Sequence, residues 1–252
     1  MRILVTNDDG IMAPGILALR RALVDMGEVT VVAPTVPQSA VGHAITLTTP
    51  IRVLRVSLGD GATGYGVEGR PADCVKLALL ELLKERPDLV VSGINLGANV
   101  GINVLYSGTV AAAVEGAFYG VPAVAVSIED SDAADFDGAA RITRGLINQL
   151  LARNPQRPAL FNINIPDLSK GPPKGVKVVP QSLKGWVEGW ERRSDPRGRT
   201  YYWMTGDLAS EDVGIDSDVA ALADRYVTVT PLRFDLTDLE RMAEMRAWGL
   251  GI

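Results

Sequence analysis

The stretch Arg2-Ile3-Leu4-Val5-Thr6-Asn7-Asp8-Asp9-Gly10, with Pro14 to Met26 and Val29 to Ala33 behind it, decides the fold. A short run of aliphatic and β-branched residues breaks off into a polar turn, as a buried strand does. Ile16, Leu17, Leu19, Ala22, Leu23 and Met26 then recur at helical spacing. Pro14 stands in the first helical turn, where a missing N–H is harmless, and Gly27 ends the helix. Strand, helix and strand in succession make a βαβ opening.

The alternation continues outward from that unit. Ile51 to Val56 reads as a strand and Tyr65-Gly66-Val67 as another. A helix from Pro71 to Leu83 precedes a strand from Asp88 to Ser92. The helix Thr109 to Tyr119, the strand Ala123 to Ser127, a helix near Ala139 to Ala152 and the strand Leu160 to Ile165 follow. This order predicts an α/β fold with a doubly wound, largely parallel, Rossmann-like sheet covered on both faces. After Pro166 the pattern breaks at Lys170-Gly171-Pro172-Pro173-Lys174-Gly175, and Trp186, Trp190, Tyr201, Tyr202 and Trp203 gather. We expect one domain over 1–252, with an active-site core at 1–165 and a C-terminal appendage of β-hairpin and helix at 166–252. A lone hairpin is marginal in water, so those aromatics need burial against the body or another subunit.

Of the 252 residues, 47% are hydrophobic and 22% charged, which excludes disorder as the main state. Thirty acidic against 25 basic residues give a net charge of −5, which argues against a stable nucleic acid complex and for a small substrate. The single cysteine, Cys74, and single histidine, His43, leave no disulfide within the chain and no usual zinc ligand set. Any metal must be held by oxygen, which points to magnesium, manganese or calcium. No apolar run reaches the roughly 20 residues of a membrane span, and no signal-peptide core follows Met1. The expected location is cytoplasmic, with no membrane partner.

Ligands of open α/β sheets bind beyond the carboxyl ends of the strands, so the loops there carry the chemistry. Four of the eight asparagines, Asn7, Asn95, Asn99 and Asn103, fall in them. Asp8 and Asp9 can converge only in a turn past the strand end, which Gly10 permits. At about 5 Å and an effective dielectric of 20 their repulsion is roughly 3 kcal/mol, enough to raise one pKa or to demand a cation. The same residues also read as an Asx-turn capping the next helix. Ser39 and Asn95, each alone an ordinary turn residue, supply neutral oxygens on neighbouring loops. Ser107, Gly108 and Thr109 precede the helical run Val110 to Gly116 and offer either a phosphate cradle or a plain N-cap. His43 is a candidate general acid or phosphate or base contact, with Asn7 and Asn99 as further substrate contacts. Gly64-Tyr65-Gly66-Val67-Glu68-Gly69 has dinucleotide-fingerprint spacing, but Tyr65 to Val67 reads as strand, so it is set aside. Cys74 sits among Val75, Leu77 and Ala78 and reads as core.

Taken together, Ile3 to Gly10, Ala13-Pro14-Gly15, Val32-Ala33-Pro34, Ser92-Gly93-Ile94-Asn95 with Gly97 and Asn99, and Tyr106 to Val110 resemble the survival protein SurE family of stationary-phase 5′/3′-nucleotidases. Asp195 to Gly198, Ser217-Asp218 and Tyr226 to Leu232 extend the resemblance across the chain. It implies a divalent-metal phosphomonoesterase acting on nucleoside 5′- or 3′-monophosphates and on short polyphosphates. Asp8, Asp9, Ser39 and Asn95 would bind one Mg2+ or Mn2+ per subunit, with Asp8 and Asp9 catalytic and Ser107 to Thr109 holding phosphate. It also implies a homodimer or homotetramer built through the C-terminal region. Ala40 departs from the glycine usual after Ser39, Arg70 stands where threonine is common, and His43 occupies a variable polar position. Two other readings remain: a phosphatase with an aspartyl-phosphate intermediate, whose D-x-D spacing is missing here, and a non-catalytic nucleotide sensor.

Overall fold

β1 (Arg2–Thr6) lies inside the sheet, and α1 (Pro14–Leu23) returns the chain to β2 (Glu28–Pro34), parallel to β1. The structure, a computed structural model, describes residues 1–59, 61–153, 159–183, 186–208 and 216–250. A hairpin of β3 (Val53–Gly59) and β4 (Ala62–Val67) leads to α2 (Pro71–Leu77) and β5 (Leu89–Leu96). Then come α3 (Gly108–Phe118), β6 (Ala123–Ile128), α4 (Phe136–Ala152), β7 (Leu160–Ile165) and β8 (Val176–Val178). β9 (Trp186–Ser194) and β10 (Thr200–Leu208) form a separate antiparallel pair. α5 (Asp218–Ala223), β11 (Val227–Pro231) and α6 (Leu239–Ala247) complete the chain. The main sheet runs β3-β4-β2-β1-β5-β6-β7-β11-β8, with antiparallel pairs only at β3-β4 and β7-β11. The doubly wound, largely parallel sheet expected from the alternation is present.

Strand alternation divides the core into two layers. Ile3 and Val5 face Ile16, Leu19 and Leu23 of α1 and Ile147 of α4, whereas Leu4 faces the opposite layer with Cys74 and Val75 of α2 and Ala112 and Ala113 of α3. Both faces are buried, which is why the strands read as nearly continuous apolar runs. Cys74 is fully buried, as its neighbours suggested, and burial pushes its thiol well above the ordinary range.

Three sequence expectations are refined. The helix expected over Pro14 to Met26 tightens to a 3₁₀ turn at Val24–Met26, and that over Pro71 to Leu83 widens to a π turn at Ala78–Leu82. The glycine-rich stretch at 64–69 is mostly strand β4, as expected, and not a strand-to-helix phosphate loop. The expected appendage does not begin cleanly at 166, because β8 and β11 pair with each other and β11 with β7 in the main sheet. Val227-Thr228-Val229-Thr230 carries the β-branched signal of a strand, but its partner β7 lies far back in sequence. Among the described residues no helix is long and apolar enough to cross a membrane.

The connection after β2 forms an arch over the carboxyl rim of the sheet. Gln38 N donates to Asp8 O (2.8 Å) and Gly42 N to Tyr106 O (2.9 Å), while Thr46 donates from its amide and its hydroxyl to the buried Asp73 carboxylate (2.9 and 2.6 Å). Between the first two tethers Ala40 adopts a φ of 54°. A left-handed conformation costs an L-residue about 1–2 kcal/mol, and the tethers on either side hold it. Ala40→Gly is therefore expected to raise stability, by up to about 1 kcal/mol after glycine's greater unfolded-chain entropy is subtracted. That corresponds to a gain of roughly 2–4 °C in Tm by calorimetry. A lower Tm would show that the arch does not enforce this conformation.

Candidate metal centre and active site

Four chain segments meet at the carboxyl ends of β1, β2 and β5. Past β1, Asn7 closes its own turn: its Nδ2 donates to Gly10 O (2.9 Å) and its Oδ1 accepts from Gly10 N (3.2 Å). The alternative in which Asp8 or Asp9 caps the next helix is not found: the N-cap of α1 is Ala13, with no side-chain cap, and it is Asn7 that closes the turn. The turn is stitched to the β2 exit by Ile11 N to Pro34 O (2.8 Å) and by the Gln38–Asp8 bond, so Ser39 follows directly on a residue held against Asp8. Within the last half of β5, a register shift against β6 between Ser92 and Asn95 re-aims the strand end. Asn95 Nδ2 donates to Gly97 O (2.6 Å), which leaves its Oδ1 as the side chain's remaining polar atom.

The start of α3 is aimed at Asp8. The Thr109 hydroxyl donates to Asp8 Oδ1, and the backbone amides of Gly108 and Thr109 also support this carboxylate. The approach is so close that a Cβ on Gly108 would lie 2.9 Å from Asp8 Oδ2. Asp8 is only 7% exposed, and burial raises its pKa above the ordinary value although the hydrogen bonds oppose the rise. Asp9 is half-buried, with Leu96 N donating to its Oδ2 at 3.4 Å. Desolvation, and then the charge of Asp8, push the Asp9 carboxyl up to about 6. Both ionised forms are disfavoured together, the condition that a cation relieves.

Two carboxylates, the exposed Ser39 hydroxyl and the Asn95 amide oxygen form an all-oxygen donor set. Among the described residues no cluster of three or more His, Cys, Asp or Glu side chains competes as a metal site. This chemistry fits a hard divalent ion that keeps water or phosphate in its remaining positions. A cleft of about 560 Å³ lined by Arg2, Glu28, Arg55 and Lys84 lies at the amino ends of β1 and β2, away from these carboxylates.

Of the other sequence candidates, Ser107, Thr109 and Asn99 are engaged by the protein itself, and His43 stays exposed while touching a buried partner. Ser107 is the N-cap of α3, its hydroxyl accepting from Val110 N (3.1 Å), and Thr109 is fully buried with its hydroxyl donating to Asp8. Asn99 donates from N to Asn164 Oδ1 (2.8 Å) and from Nδ2 to Ser127 Oγ (2.8 Å), and its carbonyl accepts from Asn162 and Asn164. It fixes the Gly97–Leu105 connection rather than offering its amide outward. His43 Nε2 lies 2.8 Å from Glu115 Oε1, and its ring stacks on Phe118. Sequence reasoning missed Asp73, Glu115, Asn162 and Asn164. The Asn-Ile-Asn-Ile alternation at 162–165 was the available signal, since asparagine is depleted in strands and needs a reason to be there. Glu115 and Asp73, acidic residues in otherwise apolar helical runs, carried a similar one.

The chain matches its relatives over nearly their full length. The family model described as survival protein SurE matches residues 3–188. A protein named 5′-nucleotidase SurE from Rhodopirellula baltica is 50% identical over 99% of both chains, and one of the same name from Heliobacterium modesticaldum is 47% identical over 98% of this chain and 92% of its own. The crystal structure of SurE protein from Aquifex aeolicus superposes with a TM-score of 0.86 at 36% identity, covering 98% of this chain and 99% of that one. Similarity this close, over a length that includes the whole carboxyl rim of the sheet, leaves one assignment: the chain belongs to the SurE family.

Proposed function

We propose that the chain is a divalent-metal-dependent nucleotidase that hydrolyses nucleoside 5′- or 3′-monophosphates to nucleoside and phosphate. The observation that carries this reading is the buried, charge-strained Asp8–Asp9 pair at the carboxyl rim, flanked by neutral oxygens, in a chain whose near-full-length relatives are named 5′-nucleotidases. Asp8, Asp9, Ser39 and Asn95 hold the cation, Mg2+ or Mn2+. A divalent cation held there would supply Lewis-acid chemistry: polarisation of the phosphoryl group and acidification of an attacking water. Asp8 is the rigid ligand, because Thr109 and the start of α3 fix its orientation. Asp9 is the more adaptable one: Leu96 N engages Oδ2, and Oδ1 is the atom that holds or passes a proton. The exposed side chains of Ser39, Leu105 and Tyr106 border the rim where a nucleoside would lie.

The active unit is a homodimer or homotetramer assembled through the C-terminal region. Trp190, Tyr202, Trp203 and Met204 are exposed on the β9–β10 pair, and α6 buries none of its residues although Leu239 and Met245 lie on it. A two-stranded sheet with that much exposed aromatic surface gains its burial from a second copy of the chain.

Asp8→Asn is expected to lower phosphate release from nucleoside monophosphates by at least about a hundredfold, with circular dichroism unchanged, since half the anionic charge of the site is lost. Chelation should abolish release in the unaltered protein, with Mg2+ or Mn2+ restoring it. Full activity in either case would refute the metal centre, and no release from any nucleotide with metal present would favour a sensor.

A second expectation concerns pH. The Asp9 carboxyl has a folded pKa near 6, raised from 3.8, so the metal-free folded state binds this proton more tightly than the unfolded chain does. The resulting stabilisation is fully present below about pH 4 and is lost as pH rises through 6. In chelator, Tm should therefore fall over that window relative to Asp9→Asn, and Mn2+ at pH 7 should reverse the loss. Parallel Tm profiles for the two proteins would contradict the charge strain.

Deleting residues 185–206 is expected to change the mass measured by light scattering and to reduce activity per subunit. An unchanged oligomer with full activity would overturn the assignment of the hairpin to an interface.

A further inference from the structure

Ser39, exposed at the crown of the arch, makes no hydrogen bond of its own among the described residues, so its position is set by whatever holds the arch. One limb is held at Gln38 by Asp8 O, the other at Gly42 by Tyr106 O. His43 comes next, and its partly exposed imidazole reaches from the second limb to Glu115, on the second turn of α3. Glu115 is 2% exposed and lies fully within the protein body. Lys76 Nζ, from α2, approaches its two carboxylate oxygens at 3.4 and 3.5 Å, while His43 Nε2 makes the short contact at 2.8 Å. A buried carboxylate needs both a counter-charge and well-aligned donors, and here Lys76 supplies the first and His43 the better of the second. Phe118, stacked at a centroid distance of 5.4 Å and 13° to the ring, fixes the imidazole plane. Glu115 sits on the same helix whose first residues clamp Asp8, so the arch and the carboxylate pair are referenced to one rigid body.

We propose that His43 is a positioning residue for the metal centre: by donating from Nε2 to Glu115 it locks the second limb of the arch to α3 and so sets the Ser39 hydroxyl against Asp8 and Asp9. This rests on the reading of Ser39 as a cation ligand. It gives His43 an indirect role through Nε2, in place of the direct phosphate or base contact expected from the sequence.

The test is Mn2+ titration without nucleotide, followed by electron paramagnetic resonance, together with amide hydrogen exchange across residues 38–46. His43→Ala should weaken Mn2+ binding about tenfold, the low end for a residue that orients a ligand, and should speed exchange at the Gly42 amide. His43→Gln, whose side-chain amide can still donate to Glu115, should recover most of both. In a Ser39→Ala background, His43→Ala should add less than a twofold further loss, because both changes act through one hydroxyl. Fully additive losses would overturn the proposal, as would undisturbed Mn2+ affinity accompanied by a raised KM, the mark of a substrate contact. If Asp8→Asn left Mn2+ binding unchanged, the metal-centre reading itself would fall and this proposal with it. That failure is separable from a failure of the anchor alone, because exchange at Gly42 is read without metal.

Discussion

The close approach of the α3 N-terminus to Asp8 is the constraint on which the rest of the rim depends. Parallel strands bring their carboxyl ends to one edge, and the helices that follow start there, so backbone N–H groups collect where the loops are. In this chain the first of those groups address a protein carboxylate. The contact requires a residue without a Cβ at position 108 and a hydroxyl at 109, and it lets Asp8 be almost completely buried without losing its hydrogen bonds. Burial still costs the charged form, and the Asp8 carboxyl is held above its ordinary pKa in spite of those bonds.

A second layer of constraint holds the loops around that pair. Each is tied by buried polar side chains rather than by apolar packing: Asn7 within its own turn, Asp73 and Glu115 beneath the arch, and Asn99 with Asn162, Asn164 and Ser127 behind the β5 exit. Directional bonds suit this task. An apolar contact tolerates sliding by fractions of an ångström, whereas a buried amide or carboxylate left unpaired is penalised strongly enough to define one loop geometry. The left-handed Ala40 between two tethers is consistent with such over-determination. α1 is docked equally tightly: a Cβ on Gly15 would lie 1.9 Å from the Ile94 carbonyl, so helix and strand exit meet backbone to backbone.

The periphery follows different rules. β9 and β10 pair only with each other, and their exposed aromatics together with the solvent-facing α6 leave apolar surface that the sheet of the same chain does not cover. The core is self-sufficient in its two layers, so this surface is available for association without unfolding anything that supports the rim.

Much of the architecture was legible from residue pattern alone. Runs such as Arg2–Thr6 and Leu160–Ile165 are buried on both faces and announce themselves by composition, and α1 and α3 by helical spacing with their caps. Asp8, Asp9 and Asn95 stood out because polar residues directly after such strands must lie on the carboxyl rim. The sequence alone also excluded nitrogen and sulfur ligand sets, through one histidine and one cysteine. What tertiary structure decided was direction and partnership. Whether Thr109 offers its hydroxyl outward or to Asp8, whether Asn99 binds a ligand or a strand, and that His43 finds Glu115 across 72 positions depend on contacts between segments remote in sequence. The placement of β11 beside β7 belongs to the same class. Local propensity specifies an element and the face it buries; it holds no information on which distant element arrives there, because that is set by packing and by hydrogen bonds between segments remote in sequence.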